Sequence, residues 1–171
     1  MALIRSVRGF TPKFGENCFL AETAVVVGEV VMGDNCTVWY NAVVRGDVHS
    51  ITIGNNTNIQ DGAIIHCTYE RARVVIGDNV SIAHGAIVHG CTLGDNVLVG
   101  MGAIIMDHAE IGDHSVIAAG AVVLAGTKVE PGSIYGGMPA RKLKDIGDEM
   151  RETIRRTAMN YPMYAGWYRV E

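Results

Sequence analysis

Residues 93 to 128 divide without remainder into hexads, LGDNVL, VGMGAI, IMDHAE, IGDHSV, IAAGAV and VLAGTK, before Val129 opens another. Every hexad begins with an aliphatic residue: Leu93, Val99, Ile105, Ile111, Ile117, Val123 and then Val129. A period of six fits neither an α-helix, whose side chains return about every 3.6 residues, nor a hairpin array. It fits a short strand followed by a corner, and three such units close one triangular coil. The aliphatic then points into the prism and stacks on its counterpart one coil away, at the roughly 4.8 Å spacing of paired strands. The expected fold is an all-β solenoid, a parallel β-helix.

Working outward, the tetrad aliphatic-Gly-Asp/Asn-Asn/His recurs at Met32-Gly33-Asp34-Asn35, Ile53-Gly54-Asn55-Asn56, Ile76-Gly77-Asp78-Asn79, Leu93-Gly94-Asp95-Asn96 and Ile111-Gly112-Asp113-His114. The hexad phase extends back through Leu20, Val26, Met32, Val38 and Val44, then Ile53, Ile59 and Ile65, then Ile76, Ile82 and Val88. The repeats thus run from about residue 20 to 135, within a solenoid domain expected over residues 1–140. Gly136-Gly137-Met138-Pro139 punctuates the exit. In the segment 141–171, Leu143, Ile146, Met150, Ile154 and Ala158 recur at helical spacing, which predicts a C-terminal helix packed on the solenoid, followed by an aromatic tail from Asn160.

Composition agrees. The chain holds 37 Val and Ile against 6 Leu, a balance that favours strands. Its 21 glycines lack a Gly-X-Y triplet, which excludes collagen, and 49% hydrophobic residues exclude disorder. A net charge of -4 without a basic cluster argues against nucleic acid or an anionic membrane as partner. The first residues lack the apolar stretch of a signal peptide and no run reaches the roughly 18 residues of a membrane span, so a cytoplasmic location is expected. Cys18, Cys36, Cys67 and Cys91 form no Cys-x-x-Cys pair and read as thiols rather than disulfides. Cys67, beside His66, reads as a packed thiol, with redox sensitivity as the alternative.

The repeat has three errors. Successive tetrads are 21, 23, 17 and 18 residues apart where three hexads make 18. Extra residues follow Val44 and Ile65, one is missing after Val88, and all three departures disturb the same corner. The residue just past the aliphatic there is Arg45, His66 or His89, with Met106 and Leu124 in the regular coils. His66 and His89 therefore hold one phase on adjacent coils, where two imidazoles can share a metal ion at about 2.0–2.1 Å. His84 lies on the preceding side of the prism and diverges from the pair. A closed threefold ring would reunite them, each site taking His66 and His89 from one subunit and His84 from the next. His49, His108 and His114 read as structural.

The segments Val44-Arg45-Gly46-Asp47, Asn58-Ile59-Gln60-Asp61-Gly62, Ile65-His66, Ile82-Ala83-His84 and Val88-His89-Gly90, in this order on such a solenoid, closely resemble γ-class carbonic anhydrases. The resemblance implies a left-handed β-helix of hexapeptide repeats, assembled as a homotrimer, with a metal ion between subunits held by His66, His84 and His89. Three imidazoles suit Zn2+, with Fe2+ or Co2+ also accommodated. The implied activity is the interconversion of carbon dioxide and bicarbonate through a water whose pKa the metal lowers. By motif, Gln60 would orient the nucleophile or the substrate, while Arg45 and Asp47 would form an ion pair near the interface, with Asp61 in the same network. In shorter relatives a tyrosine from the C-terminal helix reaches the site, and Tyr161 fits that role best, with Tyr164 second. The chain departs from the fuller family pattern in two ways. The loop Cys67–Arg73 is too short for a long acidic loop, and Val48 stands where a proton-shuttling glutamate follows Arg-Gly-Asp. Two alternatives stay open. One is a hexapeptide-repeat acyltransferase or acyl-CoA thioesterase, whose usual exit Gly137-Met138-Pro139-Ala140-Arg141-Lys142 resembles. The other is a non-catalytic metal-binding trimeric scaffold.

Overall fold

The computed structural model describes residues 1–168; residues 169–171, the end of the expected C-terminal segment 141–171, lie outside the described residues. The chain is a left-handed parallel β-solenoid of about seven turns with one C-terminal helix. Stacked short strands form three faces. On the first face, Val26, Val44, Ile65, Val88, Ile105 and Val123 lie side by side in successive coils. The second face stacks Met32, Ile53, Ile76, Leu93, Ile111 and Val129. The third stacks Leu20, Val38, Ile59, Ile82, Val99, Ile117 and Tyr135. Nearly all of these are buried and form one continuous core. Each aliphatic withdrawn from water stabilises the fold by roughly 1.5–3 kcal/mol.

The winding begins earlier than the hexads suggest. Leu3–Arg5 lies beside Val25–Val27 and Lys13–Phe14 beside Val31–Met32, and the first coil carries the tetrad in altered form, Phe14-Gly15-Glu16-Asn17, with the Glu16 N–H donating to Asp34 and Asn17 at φ 56°.

The tetrads have a local cause. Each Asp or Asn side chain accepts the backbone N–H of its counterpart in the preceding coil: Asn55 from Asp34 at 2.8 Å, Asp78 from Asn55 at 2.6 Å, Asp95 from Asp78 at 2.8 Å and Asp113 from Asp95 at 2.9 Å. A Cβ on the glycine of the tetrad would collide with that carboxylate or amide, as at Gly54 against Asp78. The Asn or His that follows turns the corner at positive φ, 55° at Asn35 and 52° at Asn56.

The two insertions in the repeat resolve differently. After Val44 no loop protrudes: Val43–Ile53 is one strand that rounds the corner beside Val25–Met32, with an irregularity near Gly28. After Ile65 the extra residues form a tight loop closed by pairing of Thr68 with Ala72. Its tip carries Tyr69, with the Arg8 guanidinium 5.5 Å from the ring centre.

The exit from the solenoid corrects the helical reading of Leu143. Ala140–Asp145 is a strand, antiparallel to Ser133–Gly137, and Leu143 is exposed. This hairpin pairs the open edge of the last coil, a use of the chain that the helical spacing of Leu143 and Ile146 concealed. The helix, α1, spans Asp148–Trp167 and buries Ile154, Ala158 and Ala165. Met150 and Ile154, with Ile146, pack on Leu98, Val116 and Ile134 and so cover the outer side of the third face. Among the described residues no helix is long and apolar enough to cross a membrane.

The outer sides of the three faces therefore differ. The third lies under α1. The second is mixed, showing Lys13, Val31, Thr52, Val75, Thr92, Glu110 and Lys128, with Glu110 and Lys128 paired at 3.3 Å. The first shows an unbroken aliphatic column, Leu3, Val25, Val43, Ile64, Ile87, Ile104 and Val122.

Candidate metal centre

The corner that ends the first face stacks Arg45, His66 and His89 in register. His66 Nδ1 lies 3.1 Å from His89 Nε2. The outer nitrogen of each ring meets a carboxylate: His66 Nε2 at 3.1 Å from Asp47 Oδ1, and His89 Nδ1 at 2.6 Å from Asp107 Oδ1. A neutral imidazole has one N–H and one lone pair, and the hydrogen bond at one nitrogen decides which is which. With both outer nitrogens donating, two lone pairs face each other. Burial, and then the Arg45 charge, hold His66 below its ordinary pKa and so favour its neutral form.

The carboxylates are anchored in turn. Arg45 Nη1 donates to Asp47 Oδ2 at 2.6 Å, and Thr68 Oγ1 donates to Asp107 Oδ2 at 2.5 Å. Burial raises the pKa of Asp47, but hydrogen bonds from Arg45 and His66 outweigh it and leave the carboxyl below its usual range. Asp107 behaves alike, with Thr68 and His89 outweighing burial. Gly90 makes the second contact geometrically feasible. It turns at φ 55°, and any Cβ there would strike Asp107 Oδ1. Asp47 also lines a small cavity, about 160 Å³, with Arg8, Glu29, His49 and Glu70.

The other candidates gather at the corner that begins the first face. His84 Nδ1 is 3.0 Å from Asp61 Oδ2. Gln60 is buried, and its Nε2 donates to Asn58 Oδ1 at 3.0 Å. From α1, Tyr161 stands edge-on to Trp39 with ring centres 5.5 Å apart. Burial, with the nearby Asp61 charge, pushes its hydroxyl up to about 12. Tyr164 packs instead between Tyr161 and Trp167.

The candidates thus fall into two groups. Arg45, Asp47, His66 and His89 share one corner; Gln60, Asp61, His84 and Tyr161 share the next. Within a coil His84 and His89 are five residues apart, with the turn at Gly85 and the strand Ile87–His89 setting them at opposite ends of the first face. Asp61 therefore pairs with His84 rather than joining the Arg45–Asp47 pair. Of the remaining histidines, His108 and His114 turn corners at φ 61° and 55°, and His49 Nδ1 accepts the Ser50 N–H at 2.8 Å. Cys67 is buried and its thiol is pushed up to about 11, which favours packing over redox sensitivity. Sequence reasoning missed Asp107. The available signal was that it lies one coil, here 17 residues, beyond Gly90, the residue after His89.

Comparison with known proteins bears on this arrangement. A model of bacterial transferase hexapeptide repeats matches residues 11–46 and 90–125. A Methanocaldococcus jannaschii protein named "Probable carbonic anhydrase" is 45% identical over 85% of this chain and 91% of its own length. The mitochondrial gamma carbonic anhydrase 1 of Arabidopsis thaliana is 38% identical over 88% of this chain and 56% of its own length. The chain belongs to the γ-carbonic anhydrase-like family of hexapeptide-repeat proteins. The fold extends to proteins with transferase names. A hexapeptide transferase family protein from Anaplasma phagocytophilum superposes with a TM-score of 0.93 at 37% identity, over 97% of this chain and 98% of that one. Carbonic anhydrase relatives imply a metal cofactor in general.

Proposed function

We propose that the chain is a metal-dependent, carbonic anhydrase-like hydro-lyase that interconverts carbon dioxide and bicarbonate at sites between the subunits of a homotrimer. One observation carries this reading: the 3.1 Å separation of His66 Nδ1 and His89 Nε2 with each outer nitrogen held by a carboxylate. Two nitrogens at about 2.0–2.1 Å from a tetrahedral ion lie about 3.3 Å apart. The observed spacing fits, and opposed lone pairs call for a cation between them. Carboxylates on the outer N–H groups are the support that metal-binding imidazoles ordinarily have.

The third ligand would be His84 of a neighbouring subunit. The corner ending the first face reads Arg45, His66, His89, Met106 and Leu124 from coil to coil, and the corner beginning it reads Tyr40, Asp61, His84, Met101 and Ala119. Brought together in a threefold ring, these columns oppose Arg45 to Asp61, the histidine pair to His84, and Met106 to Met101. The aliphatic column between them supports closure of the ring, since Ile64, Met101 and Met106 are 41%, 59% and 40% exposed in the single chain.

A bound Zn2+, or Fe2+ or Co2+ on the same donors, would lower the pKa of a water at the open position toward neutrality. The chain's own residues then divide the work. Asp47 and Asp107 hold the imidazoles in the required tautomer. Gln60, fixed by Asn58, orients the substrate from the neighbouring corner. Tyr161, protonated at neutral pH, donates a hydrogen bond toward an oxygen of bicarbonate.

Stopped-flow hydration of carbon dioxide by metal-replete protein tests the reading. His66→Ala and His89→Ala should each lower the rate at least about a hundredfold, in line with loss of a ligand or its support. Equal rates in variants and a metal-loaded parent would transfer the case to the scaffold reading. Histidine-dependent turnover of an acyl-CoA would transfer it to the acyltransferase or thioesterase reading.

A further inference from the structure

Cys18 and Cys36 are 18 residues apart, one full coil, and hold the same position beside the corner between the second and third faces. Their successors are in parallel register, Phe19 beside Thr37, and the Phe19 N–H donates to the Cys36 carbonyl at 2.9 Å. Parallel neighbours lie about 4.8 Å apart, inside the roughly 4.4–6.8 Å of Cα separation that a disulfide spans. Cys36 is wholly buried, whereas Cys18 keeps part of its surface.

In the protonated pair the thiols donate to the Gly33 and Gly54 carbonyls, at 3.2 and 3.0 Å. A hydrogen bond from Cys36 is the leading reason that the Cys18 thiol falls to about 7, while Cys36 itself is raised by that bond and by burial. The other two thiols differ: burial pushes Cys67 to about 11 and Cys91 to about 12. Thr57 and Ser115 hold the same corner position in later coils and donate to Gly77 and Glu130 carbonyls at 3.1 and 2.9 Å. A hydroxyl therefore suffices for the packing role, and two stacked thiols are surplus to it.

We infer that Cys18 and Cys36 form a peroxide-sensitive dithiol, with Cys18 attacking and Cys36 resolving, that closes to a disulfide tying the first two coils together. The Cys18 thiolate attacks one oxygen of hydrogen peroxide, the O–O bond breaks, and the departing hydroxide takes a proton to leave as water. The resulting sulfenic acid is attacked by the Cys36 sulfur, which has given up its proton. The S–S bond forms and the sulfenic hydroxyl departs with that proton as a second water. Two thiols lose two electrons and the peroxide gains them. The link would sit next to Phe19, whose ring is 5.1 Å from Trp39 in the aromatic stack beneath Tyr161. This inference does not depend on the function proposed above.

The full-length protein is treated with a few equivalents of hydrogen peroxide, quenched, unfolded, alkylated with N-ethylmaleimide and weighed intact. Of the four thiols, the parent should retain two that alkylate, and dithiothreitol should restore all four. Digestion with trypsin and Glu-C, cutting after Glu22, Glu29 and Arg45, should yield a linked pair of peptides carrying Cys18 and Cys36. In Cys36→Ser, Cys18 should accumulate as a dimedone-reactive sulfenic acid. Cys18→Ser should keep its three thiols. Four alkylated thiols in the treated parent, or a link through Cys67 or Cys91 instead, would overturn the inference, as would sulfenic acid at any cysteine of Cys18→Ser. The peptide map of the parent decides the matter even if a variant does not fold.

Discussion

The first and third faces of the prism both turn apolar side chains outward, and they differ in what covers them. Leu98, Val116 and Ile134 on the third face lie beneath Met150 and Ile154 of α1. Among the described residues no helix lies over Val43, Ile64, Ile87 and Ile104 on the first, and Lys13, Thr92, Glu110 and Lys128 in the mixed second face show that outward positions on this scaffold need not be apolar. The candidate ligands lie along both edges of the uncovered face, as two half-sites. In the proposed trimer coverage and chemistry are coupled: the face left open is the one whose edges a second copy would complete.

The strongest way to break that contrast is to charge the open face. Ile64→Asp puts a carboxylate in the middle of the aliphatic column, where burial without a partner is costly. Sedimentation equilibrium should report the single-chain mass in place of the trimer, and bound metal should fall with it. Thr92→Asp, on the second face, should leave both unchanged. A trimeric Ile64→Asp protein with full metal content would show that the seam lies elsewhere.

The converse substitution weakens the covered face. Ile154 is 1% exposed beneath α1, so Ile154→Ala should cost about 2–5 kcal/mol of unfolding free energy, measured by denaturant titration. Because that contact is made within one chain, oligomeric mass and metal stoichiometry should persist under native conditions. Loss of the trimer on this substitution would erase the distinction between the two faces.

A finer test addresses one edge of the open face. Asp107→Asn keeps the size of the side chain but removes the charge that orients His89, and should weaken metal binding about 10- to 100-fold in competition with a chelator. The pH dependence of stability has a definite sign. The Asp107 carboxyl is held below its ordinary value, so its contribution is present above about pH 4 and lost as pH falls through the lower folded value. The difference in stability between metal-free parent and Asp107→Asn should therefore shrink on acidification below about pH 4.

How much of this was legible in the sequence depends on whether a contact obeys the coil arithmetic. Ile65 on Val88, and His66 on His89, follow from counting hexads, because parallel stacking puts residues of equal phase side by side. Asp107 falls one residue out of phase with His89, whose counterpart one coil on is Met106, so counting did not point to it; the contact also needs the missing side chain of Gly90. Leu3–Arg5 and Lys13–Phe14 escaped the count because the tetrad of that coil, Phe14-Gly15-Glu16-Asn17, has Phe for the aliphatic and Glu for Asp or Asn. Ala140–Asp145 was misread because Leu143, Ile146 and Met150 have helical spacing, while edge pairing of the last coil is a tertiary demand. Coverage of the faces could be read only in part. Lys13, Glu110 and Lys128 mark the solvated face, but which apolar face α1 would choose is decided by where the solenoid ends.

The smallest expected effect probes the reach of α1 from the covered face to the edge of the open one. Tyr161 stands on Trp39 and near Asp61, so the helix over the third face also delivers a hydroxyl to the His84 corner. Tyr161→Phe keeps the ring and its edge-on contact and removes only the donor. A neutral hydrogen bond contributes about 0.5–1.5 kcal/mol, so kcat for hydration should fall about 2- to 10-fold, with metal content, oligomeric mass and thermal stability retained. Tyr164→Phe should leave kcat unchanged, since that ring packs between Tyr161 and Trp167. Equal effects of the two substitutions would reduce α1 to a cover, and the two faces would then share an edge without sharing chemistry.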